Sequence, residues 1–421
     1  MTAIDDYLDL VDTPFYLYDR DSIAVSIGDL SRALPSRARL LYSIKSNPHP
    51  EILACALGAG AGFEASSLGE LDALAEIVRI GDVPLVFDGP GKRRREFHEA
   101  LRRGARLFSV DSIHGAEVLD QTAKDAVTPC EYMIRVRATQ GTVGSLRMGA
   151  GPGGRFGSAA EDIVEALLSL STMIHARLVG VHFFPVSNAT PGQVVENLRA
   201  SLLTLADLAQ NGVPTRVVNL GGGFAAPFAR EDDCAATVED LDHVITTSVA
   251  APVLAGSEVF FESGRAISAR AGTLVAGVCD VKFVDGRRYV VLDSGINHLG
   301  GMAALGRTLR TELNVRVVRG TNLGGAGPSP ATLVGPLCTP ADVLGTVSEL
   351  PPVRPDDVLA IPNVGAYGLS ASLGAFLGHP FATEVVHGGG LPPHLSRQHL
   401  VRTHLLLPHT DDDARPMKGT A

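Results

Sequence analysis

Lys45 ends the apolar run Leu40-Leu41-Tyr42-Ser43-Ile44. A lysine at the mouth of a low-dielectric pocket loses part of its preference for the charged form, and the neutral amine can form a Schiff base with an aldehyde. The same side chain could equally extend its ammonium into solvent. Ser46-Asn47-Pro48 follows, and the Asn-Pro step ends the strand. Gly221-Gly222-Gly223-Phe224 is either a plain turn or a place where backbone N–H groups approach a phosphate closely. Glu262 and Arg265, in Phe261-Glu262-Ser263-Gly264-Arg265, bring a carboxylate and a guanidinium to one pocket, unless they only pair with each other. Cys338, taken alone, reads as a small core hydrophobe.

These residues need a scaffold, and composition bounds it. A chain of 421 residues, 45% hydrophobic, can bury large cores in two or three domains. The start Met-Thr-Ala-Ile-Asp-Asp shows no basic segment before an apolar run, and no stretch approaches ~18 uninterrupted apolar residues. A cytoplasmic protein with no membrane partner is expected. The five cysteines are scattered without zinc-site or disulfide spacing, so reduced thiols and no metal are expected. A net charge of −10 argues against nucleic acid as a partner.

Phe15 to Asp19 reads as a strand, with Asp21 capping a helix whose residues Ile23, Ile27, Leu30 and Leu34 share a face. Apolar runs near 39–45, 61–65, 84–87, 106–111, 131–137, 177–184, 215–220 and 257–262 then alternate with helical patterns. Eight such units over about 240 residues match an α/β fold of the (β/α)8 barrel type. Past about residue 270 helical periodicity fades. A hairpin is expected around Asp285-Gly286, and further strands near 314–318, 331–337, 357–361, 383–387 and 399–405. The expected division is an N-terminal strand segment (1–24) joining the β domain, a barrel (25–268), a C-terminal all-β domain (269–408) and a disordered tail (409–421). In a barrel the reactive groups sit at the carboxyl ends of strands, where Lys45, the glycine triplet and Glu262 fall.

Taken together, Tyr42-Ser43-Ile44-Lys45-Ser46-Asn47, Gly62-Phe63-Glu64-Ala65-Ser66-Ser67, Arg155-Phe156-Gly157, Asn219-Leu220-Gly221-Gly222-Gly223-Phe224, Glu262-Ser263-Gly264-Arg265, Gly335-Pro336-Leu337-Cys338 and Gly365-Ala366-Tyr367-Gly368 resemble the fold-type III pyridoxal-phosphate decarboxylases. The resemblance covers nearly the whole chain. It implies pyridoxal 5'-phosphate as cofactor and a head-to-tail homodimer whose active sites are shared, with Cys338 supplied by the other subunit. Lys45 would hold the cofactor aldehyde. Gly221, Gly222, Gly223, Arg265 and Tyr367 would bind its phosphate with help from Ser187, and Glu262 would pair with the pyridine nitrogen and make the ring an electron sink. Cys338 would return a proton to the carbanion. Glu64 and Arg135 match positions that orient the lysine and its neighbours, and Arg135, Thr339, Asp342 and Tyr367 are expected to face the substrate.

Three departures from the family pattern bear on chemistry. Phe184 stands where a histidine usually stacks on the cofactor ring, with Val186 where a glycine is usual. An aromatic ring still stacks but donates no hydrogen bond. Asn219 and Glu64 each replace an aspartate. Cys338 is followed by Thr339-Pro340-Ala341-Asp342, whereas decarboxylases of basic amino acids place an acidic residue directly after the cysteine. A buried ammonium with no carboxylate partner is strongly disfavoured, so the expected substrate tail is neutral, acidic or carbonyl-bearing. The motifs are most similar to the branch that contains a glutamyl-carrier-protein decarboxylase. α-Decarboxylation of an amino acid or derivative, free or bound to a carrier protein, is therefore expected in a biosynthetic pathway. The alternatives are a diaminopimelate-type or other free amino-acid decarboxylase, a racemase or epimerase, and a non-catalytic binding protein. Racemases pair the pyridine nitrogen with arginine, so Glu262 favours decarboxylation. The run Lys92-Arg93-Arg94-Arg95 reads as a solvated helix start or as a docking patch for an acidic carrier protein.

Overall fold

A computed structural model describes residues 4–137, 155–228, 241–300, 312–320 and 327–402. The first strand, β1 (Phe15–Asp19), runs into α1 (Arg20–Ala33). The helix is capped by Asp19 rather than by the expected Asp21: the Asp19 side chain accepts from the Asp21 N–H and the Ser22 hydroxyl, at 3.0 and 2.7 Å. Capping falls to Asp19 because it is the last extended residue before the helix.

Eight parallel strands close a barrel in sequence order: β2 (Ala38–Ser43), β3 (Gly62–Ala65), β4 (Leu85–Phe87), β5 (Leu107–Val110), β6 (Cys130–Val136), β7 (Ala176–Phe183), β8 (Val217–Gly222) and β9 (Glu258–Ser263). Each lies within a few residues of its expected position. Between them run α2 (Pro50–Gly58), α3 (Leu68–Ala75), α4 (Arg94–Arg103), α5 (Ile113–Asp125), α6 (Ala160–Ser171), α7 (Pro191–Gln210), and the short α8 (Leu241–Thr246) and α9 (Ala251–Ala255). Helix starts follow side-chain chemistry: Ser67 and Ser112 accept from backbone N–H groups ahead of α3 and α5, and Thr190 with Gln193 closes a capping box on α7.

The barrel interior is plugged by Leu41, Val86, Met133, Val179, Val217 and Phe260, packed as one buried cluster. On β3 and β7 the plug layer carries Gly62 and Gly180, where an added Cβ would run into Leu41 and the Val217 carbonyl. Side chains on a strand alternate with period two, so two residues beyond the plug each strand again points inward. Those positions are Ser43, Glu64, Asp88, Ser109, Arg135, His182, Asn219 and Glu262. All are polar, and all but Arg135 are buried.

After α10 (Arg265–Ser268) the chain forms a second sheet from β10 (Gly272–Val284), β11 (Arg287–Leu292), β12 (Arg316–Arg319), β13 (Ser329–Val334), β14 (Val343–Leu350), β15 (Val358–Ile361), β16 (Thr383–His387) and β17 (His394–Arg397). Its main path is β14-β13-β11-β10-β1-β16-β17, with β15 joining β10 to β12. The N-terminal strand pairs with β10 and β16, and Asp285 and Gly286 make the hairpin turn with positive φ at both. Two expectations fail here. Strand β14 was not anticipated, because Gly345, Ser348 and Glu349 dilute its apolar run. The final strand is His394–Arg397, paired with β16, and residues 399–402 have no regular structure. The tail from 409 lies outside the described residues. Among the described residues no helix is long and apolar enough to cross a membrane.

Candidate active site

The polar layer at the carboxyl ends of the barrel strands is where chemistry is possible. Lys45 enters it from just beyond β2. The strand stops at Ser43, and Ile44–Ser46 form a single 3-10 turn, so Lys45 does not close the strand as expected. The turn is fixed by Ser46, whose hydroxyl donates to the Ser43 carbonyl at 2.9 Å and contacts the Tyr42 hydroxyl at 3.1 Å. Both Glu64 oxygens lie within 2.7 Å of Lys45 Nζ. Burial works against the Lys45 charge, but Glu64, Asp88, Tyr367 and Glu262 together outweigh it and hold the amine well above the usual lysine range. The neutral amine suggested by the apolar strand end is therefore an ammonium here, because the barrel sets carboxylates around it.

The loop Gly365-Ala366-Tyr367-Gly368 docks on this turn. The Tyr367 N–H donates to the Ser46 carbonyl at 2.7 Å, and the Asn47 side-chain amide donates to the Gly365 carbonyl at 3.1 Å. Tyr367 sits at φ 56°, and the Arg265 guanidinium lies 4.8 Å from its ring centre. Two residues named from distant motifs, Arg265 and Tyr367, are thereby brought together beside Lys45.

Glu262 forms the floor at 1% exposure. Asn219 Nδ2 donates to its carboxylate at 2.6 Å, and Asn219 Oδ1 accepts from the Gly221 N–H at 2.9 Å. One amide thus orients the acid and anchors the glycine loop. An aspartate there would set a second carboxylate against Glu262, which gives the replacement of the usual aspartate a physical reason. His182, fully buried, bonds Ser109 through Nδ1 at 2.7 Å; its Nε2 lies 3.4 Å from Glu262 and has no hydrogen-bond partner. Gly221 and Gly223 adopt φ of 69° and 72°, and a Cβ on either would strike the carbonyl of Phe183 or Val186. Ser187 borders Gly223. Phe184 is partly open, with the Arg135 guanidinium 5.7 Å from its ring centre and 5.1 Å from that of Phe156.

Cys338 lies on a different element, the exposed loop between β13 and β14. Asp342, expected to face the substrate, is 3% exposed and accepts from the Ile296 and Leu337 N–H groups at 2.8 and 2.7 Å. Its carboxylate is committed to the backbone because two buried amides would otherwise lack an acceptor. Thr339 is partly exposed, and its hydroxyl accepts from the Ala341 N–H at 3.3 Å. Asp88 and Ser109 escaped the sequence reading. The signal available was periodic: each stands two residues after a plug residue on its strand.

The residues present fit pyridoxal phosphate. The glycine loop presents backbone with no side chain in the way, as a phosphate requires. The buried Glu262 carboxylate suits a protonated ring nitrogen, and the unpartnered His182 Nε2 marks a polar floor with bonding capacity to spare. Lys45 supplies an amine at the mouth of the layer.

Comparison with known proteins agrees. Residues 20–269, more than half of the chain, match the family model for the pyridoxal-binding domain of pyridoxal-dependent decarboxylases. The chain is 29% identical over 398 residues to the L-glutamyl-[BtrI acyl-carrier protein] decarboxylase of Niallia circulans, covering 90% of each protein. It is 28% identical over 378 residues to diaminopimelate decarboxylase of Helicobacter pylori strain J99, covering 85% of this chain and 86% of that one. The crystal structure of the Helicobacter pylori diaminopimelate decarboxylase complexed with L-lysine superposes with a TM-score of 0.78 at 23% identity, over 94% of this chain and 96% of that one.

Proposed function

The chain belongs to the pyridoxal-dependent decarboxylase family, and from that premise we propose that its substrate is an amino-acid derivative with an acidic or carbonyl-bearing side chain, carried as a thioester on an acidic carrier protein. It is a pyridoxal-phosphate-dependent carboxy-lyase. When bound, the cofactor supplies an electron sink for the charge left on the α carbon as carbon dioxide departs. Lys45 is the residue that holds the cofactor aldehyde. Gly221, Gly222, Gly223, Ser187, Arg265 and Tyr367 hold its phosphate. Glu262, oriented by Asn219, favours a proton on the ring nitrogen. Phe184 offers its face to the ring and Arg135 a cation beside it. Cys338 returns the proton to the α carbon. Because its loop is exposed, a second copy packed head to tail is the arrangement that sets Cys338 over a neighbouring barrel mouth, and the protein works as a homodimer.

One observation carries the substrate reading. The loop after Cys338 offers no free carboxylate to a distal ammonium: Thr339 is neutral, and Asp342 is spent on two backbone amides. A diamino acid would bury its ammonium unpaired, at a cost of several kcal/mol. The likeness to a carrier-protein decarboxylase supports the thioester. A basic rim supports it as well, although Lys92 is not part of it. That side chain turns inward and donates to the Ser66 carbonyl at 2.7 Å. Arg93, Arg94 and Arg95 are exposed at the start of α4, Arg94 pairs with Asp125, and a groove of about 490 Å³ runs from Arg93 and Arg94 past Glu117 to His114 and Gln121.

The test is carbon dioxide release from free amino acids and from carrier-bound aminoacyl thioesters. A glutamyl-type thioester is expected to turn over and diaminopimelate, lysine and ornithine are not. Faster release from diaminopimelate would overturn the substrate reading. Reversing Arg93, Arg94 and Arg95 to Glu is expected to lower kcat/KM for the carrier-bound substrate about ten-fold, with weaker salt dependence, while sparing a free thioester analogue. Equal responses of both substrates would remove the docking role.

A further inference from the structure

Asp88 follows the last residue of β4, two positions past the plug residue Val86, and is 5% exposed. Between it and Glu64 stands Ser66, whose Oγ is 2.9 Å from Glu64 Oε1 and 2.6 Å from Asp88 Oδ1. A hydroxyl carries one proton and can donate to only one of two carboxylates. The other contact joins two oxygens at hydrogen-bond distance and needs a proton of its own. A single proton held between Glu64 and Asp88 would supply it. The shorter contact has the length of a hydroxyl donating to an ionised carboxylate, which puts the shared proton on Glu64.

Electrostatics points the same way. Burial raises the Glu64 carboxyl, the Asp88 charge adds to this, and Lys45 only partly offsets them. At Asp88 burial also works upward, but Lys45 and the bonded link to Glu64 outweigh it and keep this carboxyl below its usual range. Other charged groups surround the set. Glu70 accepts from the Ser66 N–H at 2.6 Å, Lys92 holds the Ser66 carbonyl, and His182, Glu262 and Tyr367 border the pocket. With Ser66 pinned through both backbone groups, its hydroxyl has little freedom to turn elsewhere.

We propose that Glu64, Ser66 and Asp88 form a proton wire, in which Asp88 takes the proton that Lys45 must shed before its nitrogen can attack an aldehyde and returns it when that nitrogen is released. The transfer balances. An N–H bond of Lys45 breaks as its proton reaches Glu64, the Glu64 proton passes to Ser66 Oγ, and the Ser66 proton passes to Asp88. An ammonium and a carboxylate become an amine and a carboxylic acid, with no heavy atom displaced and no redox change. Asp88 acts through its neighbours, so it is a positioning residue of the wire. The inference rests on Lys45 being the lysine that takes the cofactor.

The experiment uses apoenzyme to which pyridoxal phosphate is added, with covalent attachment followed by absorbance across pH. Asp88→Asn keeps a donor toward Ser66 but cannot accept a proton. It removes a charge that holds Lys45 protonated, which alone would speed attachment; loss of the wire is expected to outweigh this and slow attachment roughly 10²-fold at neutral pH, with the difference shrinking at high pH, where bulk solvent deprotonates Lys45. Ser66→Ala should do the same, and the double variant should be no slower than either. In the apoenzyme at neutral pH, the wild-type-minus-Asp88→Asn infrared difference spectrum should show the carbonyl band of one protonated carboxyl, beyond the band that Glu384 gives in both. An unchanged rate and pH profile in Asp88→Asn, additive effects in the double variant, equal slowing at every pH, or no carboxyl band in the difference spectrum would each overturn the wire. The infrared measurement needs no cofactor. A wild type that shows the band yet attaches no pyridoxal phosphate would count against the assignment of Lys45 instead, while upholding the shared proton.

Discussion

Around Lys45 the polar atoms answer one another within a single chain: Glu64 grips the amine, Ser66 links two acids, Asn219 orients Glu262, and Ser46 ties the turn to the Tyr367 loop. Around Cys338 the arrangement is reversed. The loop is anchored from below by Asp342, and the thiol itself is exposed. The barrel end is preorganised to fix a group and its protons, while the β-domain end presents a reactive atom on a firm base to something outside. The difference teaches that the polar layer of the barrel is satisfied within one chain, whereas the Cys338 thiol is left exposed.

The sharpest way to break that contrast is Lys45→Ala. Turnover should fall about 10³-fold or more and covalent cofactor attachment should vanish, because Lys45 is the amine gripped by Glu64 beside the Tyr367 loop. Full activity in this variant would remove the barrel end from the mechanism. Cys338→Ala should leave cofactor attachment intact, slow amine formation about 10²-fold, and divert part of the product to aldehyde, as followed by product analysis. An unchanged rate and unchanged product would make the exposed thiol irrelevant.

Stability separates the two regions next. Glu384, on β16 and 4% exposed, is pushed up by burial to about 7, with Gln398 and Tyr18 only partly compensating. Its folded-state value lies above the unfolded one, so its contribution to stability is full below about 4.5 and is lost as pH rises through about 7. Glu384→Gln mimics the neutral acid. It should therefore match wild type near pH 4.5 and exceed it by ~3 kcal/mol at pH 8 in urea denaturation. An equal difference at both pH values would mean that Glu384 does not titrate with folding. The smallest expected effect is Asp342→Ala, which leaves two buried amides without an acceptor and should cost about 2 kcal/mol, with cofactor attachment unchanged. A loss of attachment would show that the two ends are coupled within one protomer.

The barrel was legible because its strands are buried on both faces and read as continuous apolar runs, with glycines and serines marking the joins. Lys45, Glu262, Arg265, the glycine triplet and Tyr367 were found through motif residues, and the fold gathers them at one end of the barrel. Asp88, Ser109 and the dual task of Asn219 were not found. Each is a single polar residue ending an apolar run, which by itself looks like any strand exit; only eight strands in register show that these residues form a layer. Asp342 was read as facing substrate because spacing after a turn does not tell whether a carboxylate points to solvent or to the backbone. Strand β14 was hidden because Thr346, Ser348 and Glu349 interrupt its apolar residues.

Strand β1 is made before the barrel strands, yet Tyr18 pairs with Gly272 on one side and with Val386 on the other. A chain emerging from the ribosome can close the barrel from β2 through β9 while β1, buried throughout in the finished protein, still has no partner. The C-terminal sheet then completes last, on contacts of very long sequence separation, which are slow to form. Until then the nascent protein trails an apolar strand with two open edges, the kind of segment that chaperones shield and that neighbouring chains can capture. Any chain that stops before Thr383 leaves one of those edges permanently open, however well its barrel has folded.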